Sequence, residues 1–203
     1  MKQTIVLRYF LIVFVWTGLS SCSVFSPVKT EQCNTYIINK LPHPVVAHSD
    51  RKWVLLVLPV EAPSIVNTTQ IAYLIPPYKI GYFVKHNWAA MPTQMLQPLI
   101  VQTLQNTHHF YSVNSVPFIG NYHYVLTTQL LTLHQTVASD RSEVYVVLRA
   151  QLINAVTKQV VAVKTFSVSQ PTIVNTPESG VIATNKAVAT VLKQLATFCV
   201  RAV

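Results

Sequence analysis

Alternation of apolar and polar positions is cleanest between Glu143 and Asn154. Val144, Val146, Leu148, Ala150 and Leu152 fall on one side there, and Glu143, Tyr145, Arg149 and Gln151 on the other. A period of two marks a strand with one buried face. Similar stretches at Tyr122–Thr136 and Val160–Ser169 complete a predicted meander of three long strands. Upstream, TYII (Thr35–Ile38) is a short β-prone run, and WVLLVLPV (Trp53–Val60) is continuously apolar, as a strand buried on both faces would be. Residues Leu41–Lys52 between them, with Pro42, Pro44 and Asp50, read as a loop. QIAYLI (Gln70–Ile75) and IGYFVK (Ile80–Lys85) flank Pro76-Pro77-Tyr78-Lys79, a hairpin turn. FYSV (Phe110–Val113) is a further strand.

Two segments change to helical spacing. Leu96, Leu99, Ile100, Thr103 and Leu104 form a stripe behind Pro92, which suits a first helical position because its missing N–H is not needed there. Pro98 is expected to kink or loosen the first turns. The last helix begins with Thr176 as N-cap and Pro177 at the first position, and buries Val181, Val188, Val191, Leu192, Leu195 and Cys199. The order predicts an α+β fold: a mixed, mostly antiparallel sheet with two amphipathic helices packed on one face.

Residues 1–21 have the anatomy of a secretory signal. Lys2 and Arg8 precede the compact apolar run Tyr9–Trp16, too short for the ~20 residues that span a bilayer. A plain signal would need no cysteine, yet Leu19-Ser20-Ser21-Cys22 follows, and it resembles the bacterial lipobox. That resemblance implies a diacylglycerol on Cys22, cleavage just before it, and acylation of the new amine by a fatty acid such as palmitate. Several chains, at ~0.8 kcal/mol per buried CH₂, hold where one would be marginal. Ser23, where an inner-membrane retention signal would place Asp, favours the outer membrane with the body facing the periplasm. The expected organisation is a signal peptide (1–21), a lipidated cysteine and tether (22–32) and a single α+β domain (33–203).

Fifteen basic residues oppose six acidic ones, and losing Lys2 and Arg8 with the signal lowers the net charge of +9 by two. A basic surface suits nucleic acid, anionic headgroups or an acidic protein. The charges are scattered rather than blocked, and an anchored periplasmic protein rarely meets nucleic acid, so no nucleic-acid partner is expected. A merely solvated surface is an equal reading. With Cys22 lipidated, Cys33 and Cys199 remain, an even number in an oxidising compartment. A bridge between them would pin both ends of the domain; the alternative is two separate thiols, one buried as a small hydrophobe.

Catalytic signatures are missing. Beyond the signal only Gly81, Gly120 and Gly180 remain, too dispersed for a phosphate-cradling loop. The acids Glu31, Asp50, Glu61, Asp140, Glu143 and Glu178 fall in predicted loops, turns or element ends, and no Gly-x-Ser-x-Gly elbow occurs. His108 and His109 are adjacent and so point apart on a strand, while alternation puts His123 and His134 on opposite faces. No metal site or cofactor is expected. The aromatics Tyr73, Tyr78, Tyr82, Phe83 and Trp88 cluster around the proline turn, either as core or as an exposed edge for a partner or lipid. Tyr73, Tyr78, Lys79, Tyr82 and Trp88 are the candidate contacts.

The order of motifs also resembles the ABC-type transport auxiliary lipoprotein family, which includes the paraquat-inducible protein C-like lipoproteins. The matching features are the lipobox, Tyr36-Ile37-Ile38, VLPVEAPSIVNTTQIAYLI, Trp88 before a helix carrying Leu96, Leu99 and Leu104, the strands YVLTTQLLTL, EVYVVLRAQLIN and VVAVKTFSVSQP, and the Ala/Val-rich closing helix. Two departures are Thr157-Lys158-Gln159, where a polar/Gly turn is usual, and Pro98. The resemblance implies a non-catalytic envelope component beside an inner-membrane ABC transporter and an Mce-type periplasmic protein, in transport of lipid or another hydrophobic solute. Homo-oligomerisation stays open, and a lipoprotein subunit of another envelope machine, such as a secretion system, is the alternative.

If LSSC is a lipobox, Cys22→Ala yields an uncleaved or soluble form, and mass spectrometry of the wild-type N-terminus finds an acylated Cys22. A mature chain starting elsewhere with an unmodified thiol contradicts the assignment.

Overall fold

The computed structural model describes residues 33–45, 52–138 and 141–203; the signal, Cys22, the tether and Asp140 lie outside them. Ten elements follow in order: β1 (Asn34–Tyr36), β2 (Val54–Val57), β3 (Gln70–Ile75), β4 (Lys79–Trp88), α1 (Pro92–Gln105), β5 (Ser112–Ser115), β6 (Tyr124–Val137), β7 (Ser142–Asn154), β8 (Val160–Pro171) and α2 (Pro177–Ala202). The expected mixed α+β architecture is the observed one. The meander β6–β7–β8 and the hairpin β3–β4 are antiparallel. β2 runs parallel to both β5 and β6, β3 parallel to β6, and β1 parallel to β4.

One edge of β6 belongs to β7 along nearly its whole length. The other is divided: β2 pairs with Tyr124–Leu126, Glu61 bridges to Gln129, and β3 takes Gln135 and Thr136. The sheet therefore forks into a β2–β5 arm and a β3–β4–β1 arm. β2 lies inside its arm between two neighbours, which accounts for the unbroken apolar run: Leu55, Leu56 and Val57 are all buried.

β7 turns Val144, Val146, Leu148, Ala150 and Leu152 into the core, as alternation predicts, and α2 lays its whole expected stripe, Val181 to Cys199, against β7 and β8. Each large aliphatic side chain so buried contributes ~1.5–3 kcal/mol. α1 packs on β5 and α2. Thr176 caps α2 by accepting from the Ser179 backbone N–H, with Pro177 at the first position.

The structure adds detail to the helix and changes two strand expectations. α1 runs through Pro98 as one helix: the proline lies on the exposed face, where water can reach the carbonyl left without a donor. The fifth strand is Ser112–Ser115, with Phe110 buried and Tyr111 exposed ahead of it. A β-bulge between Leu130 and Thr132 shifts the parity of β6, so Leu126, Thr128 and Leu130 point inward before it and Leu133 and Gln135 after it. Strict alternation between His123 and His134 therefore fails; His123 precedes the strand and its Nδ1 accepts from the Val54 N–H at 3.1 Å.

The expected Cys33–Cys199 bridge is also corrected: both are free thiols, Cys33 exposed and Cys199 fully buried. Cys33 leads into β1, whose Tyr36 bonds Glu178 in the first turn of α2. Cys199 lies near the other end of that helix, ~30 Å from Glu178 at ~1.5 Å per residue. Burial pushes the Cys199 thiol up to about 12.

Gly180 lets α2 approach the sheet. A Cβ there would sit 2.1 Å from Gln135 Oε1, and Gln135 is itself held in the core by donating from Nε2 to Ser142 Oγ at 2.7 Å. Gly180→Ala gains up to ~1 kcal/mol of helix propensity but overpacks this contact by more, so a net loss of ~1–2 kcal/mol is expected in urea unfolding. An unchanged or raised midpoint would show that Gln135 yields freely.

Candidate partner-binding surface

The five candidate residues separate by environment. Trp88 ends β4 at 5% exposure, donates its backbone N–H to Thr69 O at 2.7 Å and belongs to the core; it is corrected from contact to packing residue. Tyr73 and Tyr82 are half-buried on paired strands. Tyr73 packs on Phe83 at 4.7 Å between ring centroids and covers Gly81, its cross-strand partner, where a Cβ would lie 2.6 Å from the tyrosine ring. Gly81 thus makes room for the ring, as aromatic cover of a strand glycine does elsewhere. Tyr78 is 90% exposed at the turn, beside exposed Lys79.

Reading the turn by its aromatics missed the aliphatics. Ile75, Ile80 and Val84 are exposed as well. Pairing of Leu74 with Ile80 and Ala72 with Tyr82 puts Ile80, Tyr82 and, by alternation, Val84 on one face of the hairpin. Tyr73, Ile75, Lys79 and Phe83 lie on the other. The available signal was that alternation itself, since a hairpin with apolar positions on both faces must leave some uncovered unless both are packed. The tip is therefore amphipathic: an exposed phenol and ammonium flanked by apolar side chains.

Its root is clamped. Tyr36 Oη lies 3.1 Å from His86 Nδ1 and donates to Glu178 Oε1 at 3.0 Å, and the Tyr36 and His86 rings stack at 5.9 Å. β1, β4 and the first turn of α2 meet there. The cluster holds a phenol, an imidazole and a carboxylate, but its shifts lead away from acid–base work. Burial, then Glu178, pushes the Tyr36 phenol above its ordinary range. The helix-start backbone N–H, then Tyr36, holds the Glu178 carboxyl below its own. Proton transfer at neutral pH is served by groups shifted toward 7, and both of these move outward.

Asn185, which sequence reasoning passed over, is the second latch. Its Oδ1 accepts from the Asn39 and Lys40 N–H groups at 3.0 and 3.1 Å, and its Nδ2 donates to Ile37 O at 3.0 Å. Nothing set this asparagine apart from the other polar residues of the helix, such as its neighbours Thr184 and Lys186. On the meander, Glu143 accepts from Tyr145 Oη at 2.5 Å and from Ser169 Oγ; the Ser169 bond, then the Tyr145 one, lowers its carboxyl.

The model of the ABC-type transport auxiliary lipoprotein component family matches residues 36–196. A solved structure from Xanthomonas campestris, of family-model DUF330, is similar at TM-score 0.76 and 20% identity, covering 83% of this chain and 96% of that one. Another, described as an uncharacterized protein, reaches TM-score 0.68 at 15% identity over 83% of this chain and 99% of its own. At these identities the likeness is one of fold. No curated protein matches the chain.

Both lowered carboxyls make stability depend on pH with one sign. Their carboxylates are favoured in the folded state, so the contribution is whole above the ordinary value of 4.5 and is lost as pH falls through the lower folded values. Urea midpoints are expected to drop on acidification below pH ~4.5, less steeply in Glu143→Gln/Glu178→Gln. Identical slopes in wild type and variant would remove both groups from the acid response.

Proposed function

The chain belongs to the ABC-type transport auxiliary lipoprotein family, and from that membership we propose that it is a non-catalytic, lipid-anchored envelope component. In this reading Cys22 holds it in the outer membrane, the domain faces the periplasm, and it docks an Mce-type periplasmic protein of an ABC transport system for lipid or another hydrophobic solute. The observation that carries the docking role is the β3–β4 tip. Tyr78 stands almost fully in solvent with Lys79 beside it and Ile75, Ile80 and Val84 around it. A large aromatic and a cation amid apolar contacts is the composition of an interface anchor. The absence of an enzymatic role is supported by the outward shifts of Tyr36 and Glu178 and by the use of Glu143 in bonds to Tyr145 and Ser169.

Tyr78→Ala/Lys79→Ala removes side chains that the core does not use. Thermal unfolding is expected to be unchanged and association with the Mce-type partner weakened by ~1–3 kcal/mol, read by titration calorimetry. Equal affinity in the double variant takes the hairpin out of the interface. Capture of a secretion apparatus in place of any transport component, by the wild type, overturns the transport reading as a whole.

A further inference from the structure

At the far side of the sheet β8 pairs only with β7 among the described residues, so its outer edge offers backbone N–H and C=O groups along a strand of twelve residues. Proteins guard such edges with short strands, prolines or lysines, because an open edge recruits another strand. The guards here are Pro171 at the end and Lys164 within, while Val160, Val161 and Val163 stand exposed.

Beside this edge a groove of about 490 Å³ opens between β8 and the last turns of α2. Ala162, Phe198 and Ala202 give it apolar walls, and Lys164, Lys193 and Arg201 line it with three cations. No described carboxylate lines the groove or forms an ion pair with any of the three. Lys164 Nζ stands 5.7 Å from the centre of the Phe166 ring, on the strand face that packs toward α2. Ala162, Lys164 and Phe166 share that face and Val163 occupies the opposite one, while Val161 is the unpaired residue of a bulge between Val160 and Ala162.

We propose that the open edge of β8 and the cationic groove beside it receive an extended segment of an acidic protein partner, added to the sheet as a further strand. A strand laid ~4.8 Å from β8 sends alternate side chains to the two faces. Those on the helix side meet Lys164, Lys193 and Arg201; those on the other side meet Val163. The segment that fits alternates acidic with apolar residues. A lone edge lysine merely repels intruders, but with two helix cations beside it the same charge selects for acids. The edge of a second copy does not fit: Val160–Pro171 carries no acid, so like charges would meet across the pair. An anionic membrane surface would answer the cations and leave the free edge unused.

The test uses the full-length protein in neutral detergent and a fluorescein-labelled ten-residue peptide alternating Glu and Val. Three comparisons accompany it: the same peptide with Lys for Glu, the acidic peptide with a central proline, and dioctanoyl phosphatidylglycerol as a soluble anionic lipid. The acidic peptide is expected to bind and to slow amide exchange within 160–171. The lysine peptide should not bind, and affinity should fall at least tenfold for the proline peptide and for Lys164→Glu/Lys193→Glu/Arg201→Glu, whose sites are exposed. The milder Lys164→Gln/Lys193→Gln/Arg201→Gln, with an intermediate loss expected, covers the case of a misfolded triple variant. Failure of the acidic peptide to bind overturns the proposal, as does equal binding of the lysine or proline peptide, or exchange protection outside β8. Charge-dependent binding of the lipid without binding of the peptide overturns it in favour of a headgroup site.

Discussion

A β-strand has two hydrogen-bonding edges, and β6 serves three partners only because it is long enough to divide one of them. β7 takes one side; β2 and β3 share the other, with the Glu61–Gln129 bridge between. Everything else follows from that division. Within the β2–β5 arm, β2 is enclosed between β5 and β6, and Leu55, Leu56 and Val57 are accordingly apolar without alternation, while the edge strand β5 carries Ser112, Asn114 and Ser115. The β3–β4–β1 arm has a hairpin whose tip remains in solvent. The bulge at Leu130 lets one strand serve both arms while keeping an apolar residue inward on either side of it, since a single extra residue resets the two-residue period.

α2 closes the assembly by two different kinds of contact. Along most of its length it presents a stripe of Val, Leu and Ala to β7 and β8, a non-directional attachment worth a few kcal/mol per large side chain. Its N-terminal half is held directionally. Gly180 admits the Gln135 amide, Thr176 caps the helix, and Ser179 Oγ accepts from the Ile173 and Val174 N–H groups at 3.0 and 3.2 Å. Glu178 and Asn185 take hold of β1 and the residues after it. The apolar stripe sets how strongly the helix adheres, and the polar bonds set its register on the sheet. They also join the first strand of the domain to its last helix without a disulfide.

The surfaces left over suit a protein that works by contact. The hairpin tip combines an aromatic, a lysine and aliphatics; the β8 edge combines open backbone with cations. The hairpin tip belongs to the β3–β4–β1 arm, whereas the β8 edge belongs to the meander on the other side of β6. The Tyr36–His86–Glu178 and Glu143–Tyr145–Ser169 clusters tie strands and helix together: burial, then Glu178, raises the Tyr36 phenol, and hydrogen bonds lower both carboxyls.

Local chemistry was enough to read the elements. Alternation in β7, the helical stripe of α2, Thr176-Pro177 at its start and the proline turn of the hairpin each depend on neighbours a few residues away, so one chain carries them openly. The expectation of a signal and a lipobox at Cys22 rests likewise on adjacent residues, which lie outside the described ones. Quantities set by distant partners were not legible. Trp88 looked like part of an aromatic edge, yet it is buried where β4 pairs with β1 and bonds Thr69, 52 and 19 residues earlier in the chain. Cys33 and Cys199 matched as a pair by count, but the length of α2 holds them at opposite ends. Glu178 and Asn185 read as ordinary helix polars until β1 was laid beside them. Nothing within β8 indicated that its far edge would stay open or that Lys193 and Arg201 would stand beside Lys164. Hydrophobic period and capping are properties of a segment, whereas burial, pairing and the company of charges belong to the whole fold, and only tertiary packing decided them.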